Sequence, residues 1–145
     1  MNYSIRQARK EDCAGLARLA AQLGYPTLSE EIQRRLQRLL ASPNDIVLVA
    51  ESPEGLLVGW THAFLSQLLE SDYRVEIGGL VVDKNFYRRG VGRDLIGQIE
   101  QWAVERGVAQ ISVRCRTTRL EAHQFYESLG YRPAKTQTAF RKLLN

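Results

Sequence analysis

Val75-Glu-Ile-Gly-Gly-Leu-Val-Val-Asp83 runs directly into Lys84-Asn-Phe-Tyr-Arg-Arg-Gly-Val-Gly-Arg93. Beyond it, Val91, Leu95, Ile96, Ile99, Trp102 and Ala103 recur at helical spacing. The stretch reads as a strand, a basic glycine loop and the first turn of a long amphipathic helix. The first N–H groups of a helix have no acceptor within it, and the helix dipole is positive there, so that end attracts anions. Gly90 and Gly92 remove side chains where a phosphate must approach the backbone. Arg88, Arg89 and Arg93 add charge-assisted donors suited to phosphate oxygens. The expectation is a phosphorylated ligand held at one helix end, beside a strand that carries the carboxylate of Glu76.

Upstream, Tyr3 to Ala8 reads as an opening strand. Asp12 to Leu23 places Cys13, Leu16, Ala17, Ala20 and Leu23 on one helical face and stops at Gly24. After Tyr25-Pro26, Thr27 and Glu30 have capping-box spacing, and Ile32, Leu36, Leu39 and Leu40 form the apolar face of a second helix. Ser42-Pro-Asn-Asp45 is a turn cluster. Ile46–Ala50 and Leu56–Leu65 read as strands joined through Ser52-Pro-Glu-Gly55, with Tyr73–Val82 as the next strand. Downstream of the long helix, which ends before Gly107, Gln110–Cys115 reads as a strand with Ile111, Val113 and Cys115 on one face. Leu120–Leu129 reads as a short helix closed by Gly130, and Thr136–Leu143 as a last strand. The order β-α-α-β-β-β-α-β-α-β predicts one α/β domain over residues 1–145 around a mixed, mostly antiparallel sheet. The crossover from Val82 to Gln110 should make its one parallel pair.

The chain has 145 residues, enough to bury a sizeable core, and its 44% hydrophobic and 25% charged residues are ordinary for a soluble globular protein. Cys13 and Cys115 are its two cysteines and lie far apart, which argues against a disulfide framework or a zinc site. No apolar run is long enough to span a bilayer and no leader is evident, so a cytoplasmic location is expected. The formal charge of +4 suits an anionic ligand. The basic residues are not interleaved with stacking aromatics, so no nucleic-acid partner is expected, and Arg34, Arg35 and Arg38 read as a solvated face.

Three phosphate-binding readings compete with a helix start that binds nothing. A P-loop needs Lys-Ser/Thr after its last glycine, and Gly92 is followed by Arg93-Asp94. A dinucleotide fingerprint needs G-x-G-x-x-G tight after a strand, whereas the glycine after Gly90-Val-Gly92 is Gly97. A bare turn does not require flanking arginines. The third reading fits best. Gly79 to Ile96 resembles motif A of the GCN5-related N-acetyltransferase (GNAT) superfamily, whose usual form is Arg/Gln-x-x-Gly-x-Gly/Ala. Glu121-Ala-His-Gln-Phe-Tyr-Glu-Ser-Leu-Gly-Tyr131 resembles its motif B. The element order matches as well, so the resemblance covers nearly the whole chain. Ala122 to Tyr126 and the closing Lys135–Lys142 resemble the branch of small-amine acetyltransferases. Two positions depart from the pattern. Tyr87 stands where motif A has Arg or Gln, and Arg119 stands where many members carry an Asn.

The resemblance implies acetyl-CoA as co-substrate. It implies that the pyrophosphate sits on the backbone N–H groups of Arg88, Arg89, Gly90, Val91, Gly92 and Arg93. Pantetheine would pair with Leu80, Val81 and Val82 as an added strand, where the strands flanking the long helix splay apart. With Arg119 in place of the Asn, the bond to pantetheine is either missing or replaced by a phosphate contact. An alkylamine is protonated at neutral pH and must lose a proton to attack. The resemblance makes Glu76 the base, and N–H groups near Leu80 and Val81 the donors to the oxyanion. It makes Tyr126 the acid at the sulfur, with Tyr131 as backup. His123 and His62 are expected to be non-catalytic. Cys115, facing with Ile111 and Val113, is expected to be buried, which favours direct transfer in a ternary complex over an acetyl-cysteine. No metal is expected.

In the family the acceptor pocket is built from the connection Gly24–Thr27 and from Leu68–Arg74. Glu70 and Asp72 suit a cationic amine, and Arg74 an acceptor with its own acid group. A small-molecule primary amine is the expected acceptor, with a protein or peptide amine as the alternative. A homodimer is expected from the resemblance. A rival of another class is a non-catalytic acyl-CoA-binding regulatory module, in which substitution of Glu76 would be silent.

Overall fold

In the computed structural model, which describes residues 2–145, five strands follow one another across one sheet in chain order, β1-β2-β3-β4-β5. They are β1 (Ser4–Gln7), β2 (Asp45–Glu51), β3 (Leu57–Ser66), β4 (Arg74–Val82) and β5 (Ile111–Val113). The first three pairings are antiparallel and β4–β5 is parallel, as the crossover predicts. The helices are α1 (Cys13–Gln22), α2 (Ser29–Ala41), α3 (Val91–Glu105) and α4 (Leu120–Ser128). The chain falls into two compact units, Met1–Val113 and Arg114–Asn145.

In the first unit, α1 and α2 cover one face of the sheet and α3 the other. Leu16, Leu19 and Leu36 bury themselves against Val47, Val49 and Val81 in one cluster. On the opposite face, Gly59 lets α3 come close, since a Cβ there would lie 3.0 Å from Val91 and 3.2 Å from Leu95. The alternation read in β4 is visible in its burial: Val75 and Ile77 are buried while Glu76 is half-buried. The Ser52–Gly55 connection is a tight turn, closed by the Gly55 N–H on the Ser52 carbonyl at 2.9 Å. The capping expected of Thr27 and Glu30 shifts by one residue. The Thr27 hydroxyl donates to the Tyr25 carbonyl, and Glu31 accepts from the Leu28 N–H ahead of Ser29.

In the second unit, α4 closes on Gly130 with the Tyr131 N–H returning to the Tyr126 carbonyl at 3.0 Å and the Gly130 N–H to Glu127 at 3.0 Å. Two expectations fail here. Thr136–Leu143 forms no strand: residues 131–145 carry no regular structure, and Phe140, Leu143 and Leu144 are 91%, 95% and 85% exposed. Its composition is strand-like, but a strand exists only where its backbone is paired, and among the described residues nothing pairs it. Cys115 is exposed, not buried. β5 stops at Val113, so the face shared with Ile111 and Val113 does not extend to it.

Candidate active site

β4 is longer than its parallel partner. The β4–β5 register is Val75–Ile111, Glu76–Ser112 and Ile77–Val113, and there it ends. From Gly78 to Val82, β4 pairs only with β3. Among the described residues strand β4 therefore has a free edge from Gly78 on, a gap in the strand ladder that begins after Ile77 and Val113. Leu80, Val81 and Val82, the expected pantetheine partners, all lie on this free edge. Gly78 sits where the β3–β4 register shifts, between His62 opposite Gly79 and Ala63 opposite Ile77. It is the extra residue of a bulge at the mouth of the gap, where a glycine leaves the backbone open.

The base of the glycine loop is fixed by Asp83, which is buried. Its carboxylate accepts from the Asn85 N–H at 3.0 Å and from Arg18 Nη1 at 3.0 Å. Burial alone would raise its pKa, but those bonds outweigh it and hold the group below its ordinary value. The chain then turns through Lys84–Phe86, with the Arg89 guanidinium 4.9 Å over the Phe86 ring. Arg88 has φ 64°, an unusual left-handed residue that is not glycine, at a cost of about 1 kcal/mol. Gly90, the residue before α3, has φ 88°, and a Cβ there would lie 2.8 Å from Arg93 Nη2. The Asp94 N–H is the first to bond back, to the Gly90 carbonyl at 2.9 Å, so nothing within α3 accepts from Val91, Gly92 and Arg93. Gly92 is buried, Arg88, Arg89 and Arg93 are exposed, and the Tyr3 hydroxyl donates to Asp94 beside them. Every loop residue expected to hold a pyrophosphate thus lies on one short arc at a helix N-terminus.

Glu76 lies in a row that crosses four strands in register: Asp45 on β2, Phe64 on β3, Glu76 on β4 and Ser112 on β5. Partners in register project to the same face, here the one covered by α1 and α2. Among the described residues, Ser112 Oγ and, on β3, Trp60 Nε1 are buried without hydrogen-bond partners. Such atoms are costly unless something else satisfies them. His62, two residues before Phe64, shares this face; its Nε2 lies 2.8 Å from Asp45 Oδ1. Nothing in the sequence pattern joins Asp45 to His62. Asp45 read as the end of a turn, and only the β2–β3 register sets the two side by side. The Gly78-Gly79 pair inside a strand was the available signal of a bulge.

In the second unit, Tyr126 is half-buried on α4, packed edge-on against Phe125 at 5.0 Å and against Tyr131 at 5.7 Å between ring centroids. Burial, then the proximity of Cys115, push its hydroxyl up to about 12, with Arg119 pulling the other way. Tyr126 is thus a protonated donor at neutral pH. Arg119 precedes the first turn of α4, and His123 bonds the Arg116 carbonyl at 2.8 Å, a local tie.

A free strand edge beside an anion-binding helix end is the arrangement expected of an acyl-CoA site, and comparison with known proteins gives it a family. The chain matches the acetyltransferase (GNAT) family over residues 2–131. It is 23% identical over 125 residues to aminoglycoside N(6')-acetyltransferase type 1 of Serratia marcescens, covering 83% of this chain and 86% of that protein. It is 24% identical over 139 residues to the thialysine N-epsilon-acetyltransferase of Bos taurus, covering 87% and 82% respectively. In fold it is similar to the aminoglycoside 6'-N-acetyltransferase AAC(6')-Ih from Acinetobacter baumannii, with a TM-score of 0.87 at 15% identity over 99% of each chain. The chain belongs to the acetyltransferase (GNAT) family and is an N-acetyltransferase that draws on acetyl-CoA.

Proposed function

We propose that the protein transfers the acetyl group of acetyl-CoA to a primary amine of a small molecule, by direct attack in a ternary complex. The observation that carries this is the free edge of β4 beyond Ile77, ending beside the loop and N-terminus at Arg88–Arg93. Pantetheine amides pair with Leu80, Val81 and Val82 as an added strand, and the pyrophosphate takes the N–H groups of Arg88–Arg93. Arg119 adds a phosphate contact. Glu76 takes a proton from the acceptor ammonium, directly or through water, and N–H groups near Leu80 and Val81 steady the oxyanion. Tyr126 protonates the departing thiolate, with Tyr131 beside it.

Both named relatives act on small amines, which supports a small-molecule acceptor here. Exposed Tyr25, Leu68, Leu69 and Tyr73 lie in the two connections expected to form its pocket, beside Glu70 and Asp72. Because Cys115 is exposed, its burial no longer argues against an acetyl-cysteine. Direct transfer rests instead on Glu76 lying at the point where the cleft opens. The two units act as one domain over residues 1–145, as a homodimer in the cytoplasm. Dimer formation draws support from the exposed Phe140, Leu143 and Leu144. Among the described residues no helix is long and apolar enough to cross a membrane.

The test is calorimetric titration with acetyl-CoA, with NADH and ATP as controls, followed by acetyl transfer to neamine and thialysine. Selective, saturable acetyl-CoA binding with turnover of either amine is expected. A folded protein that ignores acetyl-CoA defeats the reading. An acetyl adduct on Cys115, seen by intact mass without amine, replaces direct attack by a two-step route.

A further inference from the structure

An alkylammonium that becomes an amide loses two protons. The first must leave before the nitrogen can attack. The second leaves the tetrahedral adduct, whose nitrogen is positively charged once the N–C bond has formed. Glu76 accounts for the first. Resting on the transferase reading above, we propose that His62, held by Asp45, takes the second.

Asp45 is held from both sides: its Oδ2 accepts from Ser42 Oγ at 2.7 Å and its Oδ1 faces His62 Nε2 at 2.8 Å. A carboxylate only accepts, so Nε2 carries the proton toward Asp45, and in the neutral ring Nδ1 holds the lone pair. That nitrogen faces Gly78. A Cβ built on Gly78 would lie 3.1 Å from His62 Nδ1, so the absence of a side chain at Gly78 keeps the lone pair open. Gly78 is exposed and is the first β4 residue past the last β4–β5 pair. Imidazole and carboxylate are both only partly exposed, at 23% and 18%, so solvent competes weakly for their bond. The titratable groups sharing this face are Asp45 on β2 and Arg74 and Glu76 on β4. Arg6, farther along it on β1, is committed to Asp12 and Glu51, Arg18 on α1 is committed to Asp83, and the α1 and α2 side chains in the core cluster are apolar.

The step balances. As the amine nitrogen bonds to the acetyl carbon, the carbonyl electrons move to oxygen. Nδ1 takes the N–H proton of the adduct. The oxyanion then re-forms the carbonyl and the C–S bond breaks, its electron pair leaving on sulfur, which receives the Tyr126 proton. Glu76 and the imidazolium each return a proton to solvent, Tyr126 regains one, and the net products are amide, CoA thiol and one proton. The adduct nitrogen is more acidic than the starting ammonium, so a neutral imidazole is base enough. Asp45 is a positioning residue, because it acts only through His62.

Wild type, His62→Gln and Asp45→Asn are compared for acetyl transfer to neamine and thialysine across pH, with acetyl-CoA affinity and melting temperature measured on each. His62→Gln should lower kcat/KM about tenfold or more, with acetyl-CoA affinity unchanged and the acidic limb of the pH profile altered. Asp45→Asn should lower it less and shift the same limb. An unchanged pH profile in His62→Gln overturns the proposal. Nitrogen-15 spectra of wild-type histidines decide the matter without relying on variants or acceptors. A neutral His62 protonated on Nε2 is expected, and one protonated on Nδ1 overturns the proposal. Absence of acetyl-CoA binding or of wild-type turnover would instead strike the transferase reading.

Discussion

One face of the sheet carries two polar clusters, and they differ in how completely they are satisfied. At the β1 end, Arg6 grips Asp12 through two bonds of 2.9 Å, and Asp12 also accepts from the Arg9 N–H at 2.7 Å. The same guanidinium reaches Glu51 at 3.2 and 3.3 Å. Both oxygens of buried Asp12 are occupied, and the cluster is closed. At the other end, beyond the Leu36–Val47–Trp60 packing, lie Asp45, His62, Glu76 and Ser112. Here Ser112 Oγ has no partner, and His62 Nδ1 looks over a glycine. A closed cluster is finished when the chain folds. An open one leaves hydrogen-bonding capacity that only a ligand or a reacting group can use.

Breaking the closed cluster should cost the most. In Arg6→Ala, Asp12, 8% exposed, keeps only a backbone donor. The expected loss is about 3 kcal/mol at neutral pH, with turnover per folded molecule unchanged. Burial would raise Asp12, but the Arg6 and Arg9 bonds hold its pKa below the ordinary value. Its contribution is therefore complete above the unfolded carboxylate pKa, about 4, and is lost as pH falls through the lower folded value. Thermal melts should show wild type and Arg6→Ala converging in that acidic window. A gap that stays constant would mean the cluster is not what holds this end.

The open cluster should respond the other way, with rate lost and no stability lost. Glu76→Gln keeps shape and should lower kcat on the order of 10²-fold, most at low pH, where the amine is most protonated. The melting temperature should barely move. The same fractional loss at every pH would remove Glu76 from the mechanism.

Much of this was legible in the sequence, for a physical reason. Local signals do not depend on what a segment packs against. The glycines of the loop, the α1 and α3 apolar faces, the stops at Gly24, Gly107 and Gly130, and the Val75/Ile77 alternation all fall where the structure has them. Signals that need a partner failed. The 136–143 segment has strand-like residues but, among the described residues, no strand to pair with, and the face that Cys115 would share with Ile111 and Val113 ends where β5 stops at Val113. The Asp45–His62 pair belongs to the same class, since only the register between β2 and β3 creates it.

Ser112 offers the smallest test and the one that separates the two clusters by sign. In the closed cluster, removing a polar group exposes an unpaired partner and costs stability. At Ser112 there is no partner to orphan: its Oγ is buried and already unsatisfied. Ser112→Ala removes a hydroxyl that was stripped of water without compensation, so the free protein should gain about 1 kcal/mol. The hydroxyl stands opposite Glu76 across the last β4–β5 pairs, so its removal should cost a few-fold in kcat/KM for the amine. A higher melting temperature with slower transfer is the signature of an open site, in which folding free energy has been given up for binding. A lower melting temperature would mean that Ser112 is bonded in solution, and that this end of the face is as closed as the other.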